Sequence, residues 1–173
     1  MMKGTRVHFF MRIGIVVAAL AAFLWLPGCE DLPCNKSVDQ ATISAVDQAQ
    51  LQADIATIDA YLAANNITAR QDPSGIRYVV KTNGAGGTPC LENQVSVVYR
   101  GVLLSNGREF DSGVSEFELG TLILGWQIIL TQYPKGTKLT LYIPSGYAYG
   151  TRGQGAIPAN AILVFDIELV NIR

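Results

Sequence analysis

Histidine is almost absent from this 173-residue chain: His8 is the only one, and it lies in an N-terminal segment expected to be removed. A Ser-His or Cys-His catalytic pair and an imidazole metal site are thereby excluded. Cysteine is scarce as well. Cys29, Cys34 and Cys90 are too few and too widely spaced for a thiolate zinc site, which needs paired ligands a few residues apart. Charge is low, at 16% of residues, with 13 basic against 14 acidic side chains and no basic cluster, so a nucleic-acid partner is not expected. The glycine-rich stretch Gly150-Thr151-Arg152-Gly153-Gln154-Gly155 follows no Rossmann-like strand and opens no helix, which makes it a flexible loop and not a phosphate cradle. The chain thus calls for no metal and no cofactor, and any chemistry must run without an imidazole base.

What is present begins with a charged N-terminus. Lys3, Arg6 and Arg12 precede an apolar run from Ile13 to Leu26, which ends in Leu26-Pro27-Gly28-Cys29. The run falls short of the roughly 20 apolar residues that a membrane span needs, and its flanks are those of a secretion signal. The final four residues are similar to a bacterial lipobox, which would make Cys29 a lipidated first residue. The alternative is an ordinary signal peptide with an incidental cysteine. Acyl chains on Cys29 would hold the protein on a membrane of the bacterial envelope, the outer membrane being expected, since each buried methylene adds about 0.8 kcal/mol. Removing residues 1–28 leaves 10 basic against 14 acidic side chains, a mildly acidic chain long enough for one modest domain. If Cys29 carries lipid, Cys34 and Cys90 remain as an even pair able to form a disulfide in an oxidising compartment; two unpaired structural cysteines are the other possibility.

From about Asp39 to Asn65 there is no glycine or proline, alanine is frequent, and Leu51, Ile55, Ile58 and Leu62 recur at three- and four-residue steps. This spacing predicts one amphipathic helix, whose apolar stripe needs a cover. The cover is either its own domain, favoured by the absence of a sustained heptad, or the same helix of a second copy. Asp72-Pro73-Ser74-Gly75 then marks a turn and a boundary. Beyond it the apolar period changes to two: Ile76, Tyr78 and Val80; Val95, Val97 and Tyr99; Leu139, Leu141 and Ile143; and Leu163, Phe165, Ile167 and Leu169 each share a strand face. Asn106-Gly107 signals a tight hairpin, and Trp126 to Thr131 fits a short helix. The expected class is α+β, a twisted antiparallel sheet wrapped around one short helix and preceded by the N-terminal helix. The chain divides into a signal peptide at 1–28, a tether at 29–38, a helical extension at 39–71 and a domain at 72–173.

Tyr99, Phe110, Trp126, Tyr149 and Phe165 are aromatics that could simply be core, but Asp111 follows one of them, and Gly101, Gly125, Gly150, Gly153 and Gly155 would let loops turn sharply around a cavity. Five segments carry a resemblance: Val95-Ser-Val-Val-Tyr-Arg-Gly101, Asn106-Gly-Arg-Glu-Phe-Asp-Ser112, Leu122-Ile-Leu-Gly-Trp126, Gly146-Tyr-Ala-Tyr-Gly150 and Ala156-Ile-Pro-Ala-Asn-Ala-Ile-Leu-Val-Phe-Asp-Ile-Glu-Leu169. Their order resembles the FKBP-type peptidyl-prolyl isomerases, or rotamases, over roughly the last hundred residues, in a bacterial lipoprotein form similar to the macrophage infectivity potentiator subgroup. The resemblance implies a proline pocket floored by Trp126 and walled by Tyr99, Phe110, Leu122, Ile123, Ile157 and Phe165. Asp111 and Tyr149 would add polar contacts, and the backbone N–H of Ile123 a hydrogen bond to the ligand. It implies catalysis by Phe110, Asp111 and Tyr149 on proline-containing unfolded or exported polypeptides, a site that would also admit macrolide-type inhibitors, and either a monomer or a dimer through the N-terminal helix. A chaperone using the same pocket with little turnover is the alternative. The segment between Asp111 and Phe117 reads as a shortened loop, without the arginine often found beside the aspartate, and Ser115 stands where a further pocket aromatic is common.

Overall fold

Alternating apolar residues in the last hundred positions build the sheet. The computed structural model describes residues 34–173; the expected signal peptide and Cys29 lie outside these residues. Six strands, β1 (Arg70–Gln71), β2 (Arg77–Thr82), β3 (Gln94–Leu103), β4 (Glu109–Glu118), β5 (Lys138–Ile143) and β6 (Leu163–Ile172), form one antiparallel sheet in the order β1-β2-β5-β6-β3-β4. On one face Val95, Val97, Leu139, Leu141, Ile143, Leu163, Phe165, Ile167 and Leu169 are buried, as expected for side chains that alternate across a strand. Against this face lies α3 (Leu124–Leu130), whose Trp126, Ile128, Ile129 and Leu130 are also buried. Gly125 permits the approach, because a Cβ there would come within 2.6 Å of the Ile143 side chain.

The single helix expected from Asp39 to Asn65 is instead two: α1 (Gln40–Ser44) and α2 (Gln48–Ala64). The break needs no glycine or proline. Asp39 caps α1, and Asp47 caps α2 by accepting from the amides of Ala49 and Gln50, so an aspartate acceptor competes with helix continuation and starts a new N-terminus.

The stripe on α2 is covered by the chain's own domain. Leu51 joins the core around α3, whereas Ile58 and Leu62 pack on Tyr142, with Val79 and Val164 beside them, on the opposite face of the sheet. Burying side chains of this size stabilises by about 1.5–3 kcal/mol each. The same helix face buries a carboxylate, Asp54, and α2 also carries Asp59, which binds the nearly buried Arg77 of β2 through two 2.8 Å bonds.

The turn at Asp72 to Gly75 forms with Gly75 at φ 97°. It joins β1 to β2, so the expected boundary at residue 72 falls between two strands of one sheet. Asn106-Gly107 does lie in a hairpin, but the connection between β3 and β4 is five residues long, 104–108, with Asn106 accepting from the Arg108 amide. Cys34 and Cys90 are joined by a disulfide, with Cα atoms 5.4 Å apart, tying the start of the described residues to the segment that enters β3.

Candidate active site

The candidate site forms where three neighbouring strands bring one glycine opposite two of the expected site positions. Gly101 in β3 pairs with Asp111 of β4 on one side and Phe165 of β6 on the other. With no side chain at Gly101, the rings of Phe110 and Phe165 meet edge to face above it, 5.5 Å apart. A Cβ there would lie 2.5 Å from Phe110 and 2.8 Å from Phe165. The β3–β4 register shifts between Gly101 and Val102, which pair with Asp111 and Glu109, leaving Phe110 without a partner of its own. A bulge of this kind redirects a side chain. It explains how Phe110 and Asp111, adjacent in the chain, both line the same hollow.

Trp126 arrives from the first turn of α3, 96% buried, with its ring 5.6 Å from Tyr99 and 5.1 Å from Phe165, each contact nearly perpendicular. Phe117 extends the series, 6.2 Å from Tyr99. Five aromatics thereby form a continuous edge-to-face chain, Phe117–Tyr99–Trp126–Phe165–Phe110, an arrangement favoured by ring quadrupoles. Together with Leu122, Ile123, Asp111 and Tyr149 they enclose a hollow of about 160 Å³.

Polar groups in this hollow are few. The Tyr99 hydroxyl donates to Asp111 Oδ2 at 2.8 Å. Burial, followed by that bond and the carboxylate's charge, pushes the Tyr99 phenol up to about 12. The Tyr149 phenol is likewise raised, first by burial and then by the charge of Asp111. Both hydroxyls therefore keep their protons at neutral pH and remain donors. The indole Nε1 of Trp126 is buried with no acceptor and is closed off from solvent, whereas among the described residues the N–H of Ile123, which precedes α3, and the Tyr149 hydroxyl at the hollow donate to no protein group. An apolar hollow with idle donors is suited to hold a carbonyl-bearing, otherwise apolar group.

Of the residues expected at the site, Tyr99, Phe110, Asp111, Leu122, Ile123, Trp126, Tyr149 and Phe165 converge on the hollow, and Ile157 does not line it. Ile157 is buried in the core beside it, held by a short bridge to Gln154. Residues 111–117 form no loop: they continue β4, pairing with β3 from Asp111 opposite Gly101 to Phe117 opposite Val95. That pairing places Phe117, absent from the expected set, on the wall, two residues beyond Ser115. No lysine or arginine pairs with Asp111 among the described residues.

Residues 86–170 match the model of a family described as FKBP-type peptidyl-prolyl cis-trans isomerase. The chain is 41% identical over 120 residues to the FKBP-type peptidyl-prolyl cis-trans isomerase FkpA of Aeromonas hydrophila, covering 65% of this chain and 44% of that protein. It is 42% identical over 105 residues to the FKBP-type 22 kDa peptidyl-prolyl cis-trans isomerase of Escherichia coli strain K12, covering 57% of this chain and 50% of that one. The chain spans about half the length of these curated relatives. Among solved structures it is similar to a peptidyl-prolyl cis-trans isomerase from Pseudomonas syringae pv. tomato, with a TM-score of 0.61 and 33% identity over 72% of this chain and 94% of that one. It is also similar to FkpA from Escherichia coli, with a TM-score of 0.61 and 34% identity over 73% and 64% respectively.

Proposed function

The chain belongs to the FKBP-type peptidyl-prolyl cis-trans isomerase family, and from that premise we propose that it speeds rotation about Xaa-Pro bonds in polypeptides exported to a bacterial envelope. The observation that carries the proposal is the aromatic hollow with its unpaired donors. An Xaa-Pro bond needs no nucleophile, metal or net proton transfer to isomerise. Its barrier is resonance, roughly 18–20 kcal/mol, which makes the unaided process take tens to hundreds of seconds. Acceleration to milliseconds requires about five powers of ten, or roughly 7 kcal/mol.

In the proposed reaction the proline ring rests on Trp126 between Tyr99, Phe110, Phe117 and Phe165. The planar amide separates more charge than the twisted one, so a water-poor aromatic surround disfavours the ground state relative to the transition state. The Ile123 N–H anchors one peptide carbonyl. The Tyr149 hydroxyl donates to the carbonyl that turns, and fixed donors which fit the twisted form better than the planar one lower the barrier further. Asp111 holds the Tyr99 hydroxyl in place by accepting its hydrogen bond.

Export and anchoring are part of the proposal. They rest on the charged start, the apolar run and the position of Cys29, and are supported by the joining of Cys34 to Cys90, a bond typical of oxidising compartments. Metabolic labelling with a fatty acid checks the anchor, with label expected on the wild type and none on a Cys29→Ser protein. Turnover is checked with short peptides differing in the residue before proline and protein made without residues 1–28. Accelerated cis-trans exchange is expected. Suppression of client aggregation without acceleration would replace the isomerase reading with that of a binding module.

A further inference from the structure

A carboxylate buried far from the hollow holds the segment that carries Tyr149. Asp54, on α2, is 97% buried. Its Oδ2 accepts from both the amide and the hydroxyl of Ser145, at 2.8 and 2.6 Å, across 91 positions of sequence, and its Oδ1 accepts from Gln50 at 2.7 Å. Ser145 is 99% buried and opens the 3-10 turn Ser145–Tyr147, so Asp54 satisfies, from another element, the first amide of that turn. Two further contacts fix the same turn. Gly146 lies against Val46, where a Cβ would sit 3.3 Å from the valine Cβ, and the buried Tyr147 donates its hydroxyl to the Ser74 carbonyl at 3.0 Å. Tyr149 follows two residues later and faces the hollow. A buried polar group is costly unless it is hydrogen-bonded, and both Asp54 oxygens are engaged here, one by Gln50 of its own helix and the other by Ser145 of the distant β5–β6 connection.

We infer that Asp54 is a positioning residue for the site: through Ser145 it clamps the connection between β5 and β6 and sets where the Tyr149 hydroxyl stands. The N-terminal extension is then part of the catalytic architecture and not only a spacer. The consequence for turnover rests on the isomerase reading; the clamp itself does not.

The experiment compares Asp54→Ala, Asp54→Asn, Tyr149→Phe, the Asp54→Ala/Tyr149→Phe double variant and Leu62→Ala, which loosens α2 without touching Ser145. Turnover of a proline peptide and amide exchange at residues 145–149 are read on each full-length protein. Asp54→Ala is expected to lower kcat/KM roughly tenfold, as a misplaced contact group does. The double variant should fall no further than Tyr149→Phe alone. Asp54→Asn keeps an acceptor for Ser145 and should stay within about twofold of wild type, while Leu62→Ala lowers the melting point and leaves kcat/KM unchanged. Full turnover in Asp54→Ala, additive losses in the double variant, or an equal loss in Leu62→Ala would overturn the inference. If Asp54→Ala does not fold, Ser145→Ala takes its place with the same expectations. A wild type without turnover would defeat the isomerase reading alone; amide exchange would still decide the clamp, being faster at 145–149 in the Asp54→Ala protein but not in Leu62→Ala if the clamp exists, and equal in both if it does not.

Discussion

Gly101 sets how closely the two phenylalanines of the hollow can approach, because its missing Cβ is the space into which their rings extend. Gly101→Ala should push Phe110 and Phe165 apart, costing about 1–3 kcal/mol of stability from overpacking and roughly tenfold or more in turnover. Urea unfolding and a peptide assay on the same protein check both. Tyr99 makes a pH prediction. Its phenol rises from the usual 10.0 to about 12 in the fold, so the folded state holds that proton more tightly than the unfolded chain does. The resulting stabilisation is complete below pH 10 and is lost as the pH climbs toward 12. Unfolding measured between about pH 9 and pH 12 should show a steeper alkaline loss in wild type than in Tyr99→Phe. The residue types at the site were legible in the sequence, where the aromatics, Asp111 and the nearby glycines suggested a cavity and the resemblance of five segments to a known family named its walls. Their geometry was less so. Strict alternation would put Phe110 and Asp111 on opposite faces, and only the bulge opposite Gly101 and Val102 brings them together.

Strands were the easiest elements to read, since a period of two marks the buried face directly and the groups on β3, β5 and β6 are buried as their spacing implies, with Tyr99 alone half-buried at the hollow. Helix ends were harder. Nothing in the composition of residues 39–65 forbids one long helix, and the break at Ala45 to Asp47 depends on a side-chain cap that competes with an otherwise permissive run. A second aspartate eight residues after Asp39 was the available signal. Phe117 was missed for a related reason: residues 111–117, rich in serine and glycine, read as a loop, whereas pairing along the whole of β3 keeps them extended. At this scale the disulfide gives a test. Cys34 and Cys90 enclose a loop 56 residues in span, for which chain entropy predicts about 4 kcal/mol. Cys34→Ser should reduce unfolding free energy by up to that amount while leaving turnover near wild type, since neither cysteine reaches the hollow.

For the molecule as a whole, the sheet has a helix on each face. α3 closes the inner face and supplies the indole, while α2 crosses from the inner core at Leu51 to the outer face at Ile58 and Leu62. The extension therefore braces the domain, with Arg77 and Asp59 fastening it to β2 and Asp54 fastening it to Ser145. The apolar part of this bracing was legible in the sequence as a stripe covered by its own domain, but its polar fastenings were not, because an aspartate on a helix looks solvated until its distant partner is known. On the proposed mechanism, the aromatic hollow lowers the rotational barrier of an Xaa-Pro bond without acid, base or metal. The most direct test is the cis-to-trans rate of one proline tetrapeptide with wild type and with Phe110→Ala and Asp111→Ala. Expected are a rate proportional to wild-type concentration and at least roughly tenfold lower catalysis by each variant; a wild-type rate no faster than the unaided bond, or variants equal to wild type, would contradict the mechanism.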